Sequence, residues 1–302
     1  MLDVVIIGSG PAGITAAIYA KRANLNVAVV EKEYLGTGQI AESSRVDNYP
    51  GIPGIDGYSL GEKFREHAES LGVEFTEAQV LSLGQKDGIW IIGCDEDITL
   101  ESKAVIYATG CKNRPLGVPG EEKYYGRGLS FCAVCDGAFY KGKRVAVIGG
   151  GDTALDDAMY LSDICEKVYL VHRREFFRGS ASTLEKLKQK ENVEIIVNAR
   201  VEEITGDKKI DGIILDNKTK LNISGLFAAV GMIPQTELLK EFGVLDESNY
   251  VKASEDTKTT VNGLFAAGDV RTKQLRQVVT AAADGANAIY SVMEYLCLLY
   301  TS

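Results

Sequence analysis

Histidine is almost missing from these 302 residues: only His67 and His172 occur. There is one CxxC and no second, so a tetrahedral zinc site lacks ligands. No apolar run reaches the roughly 18 residues of a membrane span. The N-terminus, MLDVVIIGSG, has neither a basic leader nor a small-residue cleavage site, and it reads as a first strand. A cytoplasmic protein with no membrane partner is therefore expected. Basic blocks are absent too. The formal net charge is -9, and the one short cluster is His172-Arg173-Arg174. That excludes nucleic acid as an expected partner, because binding phosphates needs a basic surface.

What is present is glycine in a repeated pattern. Val4-Val5-Ile6-Ile7 is a continuous apolar run, the signature of a buried parallel strand. Gly8-Ser9-Gly10-Pro11-Ala12-Gly13 follows, then a helix-like stretch from Ile14 to Lys21. A second apolar run from Val27 to Val30 ends at Glu31. Strand, GxGxxG, helix, strand and acid are in the order of a dinucleotide-binding unit. The glycines allow a tight turn and close approach of a pyrophosphate to a helix N-terminus. Glu31 stands about 20 residues on, where an acid bonds a ribose hydroxyl.

The pattern then recurs. Arg144 to Ile148 reads as a strand, Gly149-Gly150-Gly151-Asp152-Thr153-Ala154 as the turn, Leu155 to Leu161 as the helix, and Val168 to Val171 as the next strand. A constant offset maps Gly8 to Gly149, Gly10 to Gly151, Gly13 to Ala154 and Glu31 to His172. An internal repeat at fixed offset carries more weight than either motif alone. The substitution at the acid position is informative. His172-Arg173-Arg174, with Arg178 following, would attract the 2′-phosphate that an acid repels. The first unit is expected to hold a nucleotide with a free ribose, such as FAD, and the second NADPH rather than NADH.

A third segment, Leu264 to Ala267 followed by Gly268-Asp269, reads as a short buried strand ending in a glycine and an acid. Similar strands end in Ala108-Thr109-Gly110 and Ala229-Val230-Gly231. Asp269 suits contact with a cofactor hydroxyl. It could equally cap a helix running from Gln277 to Met293.

Of six cysteines, Cys94, Cys111, Cys165 and Cys297 are scattered, and such cysteines in a reducing compartment read as free core residues. Cys132-Ala-Val-Cys135 lies between the two units, followed by Asp136. A bridge across so short a loop adds little stability and suits exchange. Two unbonded thiols in a loop is the bland alternative. Asp136 is a candidate general acid for a leaving thiolate, or a helix cap.

Together these residues resemble the low-molecular-weight thioredoxin reductases, of the bacterial type, within the pyridine nucleotide-disulfide oxidoreductases. The resemblance rests on Gly8–Gly13, Gly38-Gln39-Ile40, Asn48–Gly51, Ala108–Gly110, Cys132–Asp136, Gly149–Ala154, His172–Arg178, Gly268-Asp269 and Arg276-Gln277-Val278, in family order over nearly the whole chain. It implies an α/β fold of two Rossmann-like dinucleotide-binding domains, the NADPH domain inserted into the FAD domain. Residues 1–113 and 232–302 would form the FAD domain, and 114–231 the NADPH domain carrying the CxxC. Carried over by motif, Glu31, Gln39, Asn48, Thr109, Gly110, Gly268, Asp269, Arg276, Gln277 and Val278 would face FAD. Gly149, Gly151, Asp152, Thr153, Ala154, His172, Arg173, Arg174 and Arg178 would face NADPH. Cys135 would lie nearest the flavin, and Cys132 would exchange with the partner. The family acts as a homodimer on thioredoxin. Gly36-Thr37-Gly38-Gln39 departs from the usual adjacent glycine pair.

The order of motifs also sets a constraint. Disulfide and NADPH fingerprint share the inserted domain, yet both must reach one isoalloxazine. The resemblance implies two domain orientations, with hinges near Asn113–Pro115 and Gly231–Pro234. Competing readings are a related flavin reductase of another thioredoxin-like protein or with another electron donor, and a non-catalytic redox sensor. A helix could end near Tyr295. The last six residues, Cys297 to Ser302, coincide with one reading frame of a transposon-end sequencing adaptor. A gene cut at its 3′ end is therefore expected, with an ordinary apolar tail as the alternative, and no role is assigned to Cys297.

Overall fold

Alternation within apolar strands decides the architecture. In the strand Leu2–Ile7, Val4 and Ile6 face one layer while Val5 and Ile7 face the other, and all four are at most 4 % exposed. A strand buried on both faces belongs in the middle of a parallel sheet with cover on each side. Burying each such side chain contributes roughly 1.5–3 kcal/mol. The structure, a computed structural model, describes residues 1–33, 37–43 and 45–301. Gly36 of the altered glycine pair and Ser302 of the tail lie outside them.

The chain divides into two compact units: Met1–Lys112 with Ile233–Ser302, and Asn113–Met232. In the first unit, strands Glu74–Glu77, Val27–Glu31, Leu2–Ile7 and Thr99–Tyr107 pair in parallel in that order. The far side of Thr99–Tyr107 is shared. Its first half pairs antiparallel with Ile89–Cys94, which pairs with Val80–Lys86, and its second half pairs in parallel with Leu264–Ala266. One face packs on helices Pro11–Arg22 and Val278–Thr301 through Ala16, Ala17, Ala288 and Val292. The other face packs on Trp90, Leu239, Val244 and Val251.

The second unit repeats the design. Its parallel strands run in the order Val193–Ile196, Lys167–Val171, Arg144–Gly149, Gly225–Ala229 and Leu129–Ser130. Val145 and Val147 face helix Asp152–Ser162, and Ala146 and Ile148 face an antiparallel sheet of Val201–Thr205, Gly212–Leu215 and Lys220–Asn222. Cys111–Asn113 and Met232–Pro234 pair with each other where the chain passes between units.

The C-terminal helix runs past Tyr295 to Thr301, because nothing in Leu296-Cys-Leu-Leu-Tyr-Thr breaks a helix. Cys94, Cys111 and Cys165 are buried free thiols, whereas Cys297 is exposed. Among the described residues no helix is long and apolar enough to cross a membrane.

Candidate functional site

Each unit gathers its chemistry-bearing residues at the C-terminal ends of its parallel strands, where ligands of open α/β sheets bind. In the first unit the Gly8 amide donates to Val30 O at 2.9 Å and starts the glycine turn. The turn is packed to the limit. A Cβ on Gly13 would lie 1.9 Å from Gly8 O, and one on Gly8 would lie 2.5 Å from Ala108 O. Helix Pro11–Arg22 begins at Gly10 with no side-chain cap, so its first-turn amides remain for a ligand. Glu31 is drawn against the same turn: its Oε2 accepts from Ser9 N at 2.8 Å and Ser9 Oγ at 3.0 Å, and its Oε1 from Lys32 N at 2.7 Å.

The other residues picked from sequence join this rim. A Cβ on Gly38 would lie 3.5 Å from Gly10 Cα, so the 3-10 turn carrying Gln39 runs beside the glycine turn. Thr109 Oγ1 donates to Gln235 O at 2.8 Å, and Gly110 O accepts from Gln235 N at 3.1 Å. Asn48 Nδ2 donates to Gln277 Oε1 at 2.8 Å, joining two amides far apart in sequence. Val278 packs with the cluster of Ile40, Val46 and Leu60. Gly268 approaches the first helix so closely that a Cβ would lie 2.9 Å from Ala12 Cβ. That brings Asp269 to the rim.

Asp269 does not cap the C-terminal helix. It sits in a 3-10 turn, Gly268–Val270, ahead of that helix. Its Oδ1 is buried with no hydrogen-bond partner among the described residues. Burial pushes its carboxyl above the ordinary value, Lys273 and Arg276 pull it back, and Asp284 pushes it up. Arg276 Nε donates to Asp269 O at 3.3 Å, and its guanidinium lies 4.3 Å from the Tyr250 ring centroid. Cys111 Sγ donates to the same carbonyl at 2.9 Å, and burial lifts its thiol to about 11.

In the second unit, helix Asp152–Ser162 also starts without a side-chain cap, at Gly151, and nothing lies within 4 Å of a Cβ built there. Asp152 Oδ1 accepts from Ser180 N at 2.7 Å, and Thr153 is exposed. The basic loop is fastened across the turn: Arg178 N and Gly179 N donate to Gly150 O at 2.7 and 3.2 Å. His172 is buried at 6 % exposure, with its ring where a Gly150 Cβ would be, 2.2 Å away. Its Nε2 donates to Phe176 O at 3.2 Å, and its ring stacks tilted on Phe177 at 4.9 Å. Burial, and secondarily Arg173, Arg174 and Arg178, lower the imidazole pKa, while the Phe176 bond opposes them. His172 thus holds the loop, while Arg173, Arg174 and Arg178 are exposed.

Cys132 and Cys135 form a disulfide with Cα atoms 5.3 Å apart. Ala133 anchors the pair: it is fully buried against Ala154, Leu155, Ala158 and Leu161, whereas Val134 is 56 % exposed. Cys135 N donates to Cys132 Sγ at 3.2 Å, so a thiolate at Cys132 would keep a backbone donor. Ser130 fixes the entry, its Oγ accepting from Cys132 N at 3.1 Å. The Asp136 side chain makes no cap bond. Burial pushes its carboxyl up, against a hydrogen bond from Ser130 that lowers it. A carboxyl with a raised pKa beside a disulfide can hold and deliver a proton.

Sequence reasoning missed a buried charge cluster beside Asp269: Arg271, Lys273 and Asp284. One signal was available. Asp284 is the only charge between Val278 and Met293, a stretch otherwise of small, apolar and uncharged polar residues.

The chain matches the pyridine nucleotide-disulphide oxidoreductase family over residues 2–285. It is 39 % identical over 303 residues to the 34.2 kDa protein in the rubredoxin operon of Clostridium pasteurianum, covering 98 % of this chain and 97 % of that one. It is 38 % identical over 302 residues to thioredoxin reductase of Bacillus subtilis strain 168, covering 97 % and 94 %. The crystal structure of thioredoxin reductase from Streptococcus pyogenes MGAS5005 superposes with a TM-score of 0.92 at 40 % identity, covering 99 % of each chain.

Proposed function

We infer the function from a shown kinship: the chain belongs to the pyridine nucleotide-disulphide oxidoreductases, on the low-molecular-weight thioredoxin reductase branch. It is a thioredoxin-disulfide reductase. The observation that carries the reading is the half-buried Cys132–Cys135 disulfide beside Asp136, whose carboxyl burial pushes above its ordinary value. Thioredoxin, or a thioredoxin-like protein, is the disulfide substrate and NADPH the donor.

FAD is assigned to the unit of residues 1–112 and 233–302. The unpartnered Asp269 Oδ1, the uncapped helix at Gly10 and Glu31 at the ribose position suit a dinucleotide with free hydroxyls. NADPH is assigned to the unit of residues 113–232. The open Gly151 and the exposed Arg173, Arg174 and Arg178 suit a pyrophosphate and a 2′-phosphate. Bound FAD supplies the two-electron relay from NADPH to the disulfide.

The protein's own residues do the rest. With two electrons the disulfide opens to the Cys132 and Cys135 thiolates. The Cys132 thiolate, held by the Cys135 amide, attacks one sulfur of the substrate disulfide and expels the other as a thiolate. The Cys135 thiolate then attacks Cys132 Sγ, which restores the disulfide and frees the second substrate thiolate. Asp136 carries the protons these thiolates need. Cys135 is taken as the flavin-side sulfur.

A cytoplasmic homodimer completes the reading. Helix Val278–Thr301 leaves Tyr290 and Met293 exposed at 68 % and 42 %, apolar surface suited to a second copy. Turnover tests the function. NADPH absorbance should fall steadily only when oxidised thioredoxin is present. NADPH consumption that ignores thioredoxin, or none with it, would overturn the reading.

A further inference from the structure

The buried charges around Asp284 do not balance among themselves. Arg271, Lys273 and Asp284 expose 4 %, 6 % and 4 % of their side chains. Arg271 by itself engages both oxygens of Asp284 and matches its charge, with Nε 2.8 Å from Oδ2 and Nη2 2.6 Å from Oδ1. The remaining Arg271 nitrogen donates to Ala253 O and Thr272 O at 3.3 and 3.0 Å. Lys273 Nζ nevertheless comes in as a second cation, 2.9 Å from Oδ2. Two buried cations against one carboxylate leave a net positive charge, and an uncompensated buried charge is costly.

The group placed to balance it is Asp269. Asp284 Oδ2 accepts from Gly268 N at 2.9 Å, so the carboxylate that holds Lys273 also holds the turn that presents Asp269. The charged groups acting on Asp269 are Lys273, Arg276 and Asp284, with the Tyr250 hydroxyl and Cys111 thiol beside them. Arg276 spends hydrogen bonds on Asp269 O and Arg271 O and lies over Tyr250. Of these two cations, among the described residues, only Lys273 is both buried and in excess of its own partner's need.

Resting on the flavin assignment above, we propose that Lys273, held by Asp284, is a positioning residue of the flavin site: its surplus buried charge makes Asp269 a carboxylate acceptor for a hydroxyl of the bound dinucleotide. The otherwise unpartnered Asp269 Oδ1 is the atom that receives that hydrogen bond. Without Lys273, Asp269 loses a pull toward its ionised form and takes up a proton at higher pH. Flavin affinity then fails as pH falls, earlier than in the wild type.

The test is FAD affinity of flavin-free protein, read by quenching of flavin fluorescence at pH 8 and pH 6, for wild type, Lys273→Met and Lys273→Arg. Lys273→Met should bind within about threefold of wild type at pH 8 and at least about tenfold more weakly at pH 6, a difference of about 1.4 kcal/mol. Lys273→Arg should follow the wild type. Thermal unfolding of flavin-free Lys273→Met should stay cooperative at pH 6, where a protonated Asp269 leaves no unbalanced charge and the Arg271–Asp284 pair is intact, so weaker binding there is not loss of the fold. Should methionine not fold there, Lys273→Gln reads the same loss. Affinity that tracks the wild type at both pH values, or falls equally at both, overturns the proposal. A wild type that binds no FAD at either pH would instead overturn the flavin assignment beneath it.

Discussion

Replacing Asp157 by asparagine should stabilise the protein, and should do so only where an aspartate would be charged. Asp157 lies on helix Asp152–Ser162, next to the fully buried Ala158 and a turn after the fully buried Ala154. Burial, then the charge of Asp156, push its carboxyl from 3.8 to about 7. The folded state therefore binds the proton more tightly than the unfolded state does. Below about pH 4 both states are protonated and the group costs nothing. Between pH 4 and 7 the unfolded state ionises first and stability drains away, and above pH 7 the loss is constant. The full shift corresponds to an upper bound of about 4 kcal/mol. Relaxation and water entry cut this to about 2 kcal/mol. An asparagine side chain cannot ionise and has nearly the same shape. The variant's gain over wild type should be larger at pH 8 than at pH 5 by about 1–1.5 kcal/mol. Urea unfolding of flavin-free protein followed by circular dichroism measures this, without a bound ligand shifting the midpoint. An equal difference at the two pH values, or a variant that loses ground at pH 8, would refute the argument.

Changing Arg173 and Arg174 together to alanine should raise the NADPH KM by about 10–100-fold, the worth of one or two charge-assisted bonds to a phosphate. The NADH KM should hardly move, and equal loss for both cofactors would contradict the 2′-phosphate assignment. Asp136→Asn should slow thioredoxin turnover by on the order of 100-fold. Because the raised carboxyl donates its proton only while protonated, wild-type rates should decline as pH rises through its pKa. The variant's profile should lack that decline, and an unchanged pH profile would remove Asp136 from proton delivery.

The fold was legible where the signal was local. A run such as Val4–Ile7 ending in Gly8 carries its own context, and the second run repeats it, so both parallel sheets could be read from the chain. The hairpin of Val80–Lys86 with Ile89–Cys94 was not legible, because its register depends on the strand Thr99–Tyr107 beside it. The same limit applied at the candidate site. His172 reads as one of four basic ligands, yet its ring fills the space over Gly150, and only the folded loop reveals it as a buried support. Asp269 left two readings open in sequence. Its 3-10 turn and its unpartnered oxygen removed the capping one. Lys273 carried no motif, and Asp284 only the faint signal of a lone charge in an uncharged stretch, since a buried pair is defined by what surrounds it.

The central claim is that electrons pass from NADPH through a flavin to Cys132–Cys135. Anaerobic titration with NADPH, followed by flavin absorbance, tests it most directly. The wild type should take up about two hydride equivalents per flavin, one for the flavin and one for the disulfide, and Cys135→Ser about one. Equal uptake by the two proteins would contradict the account.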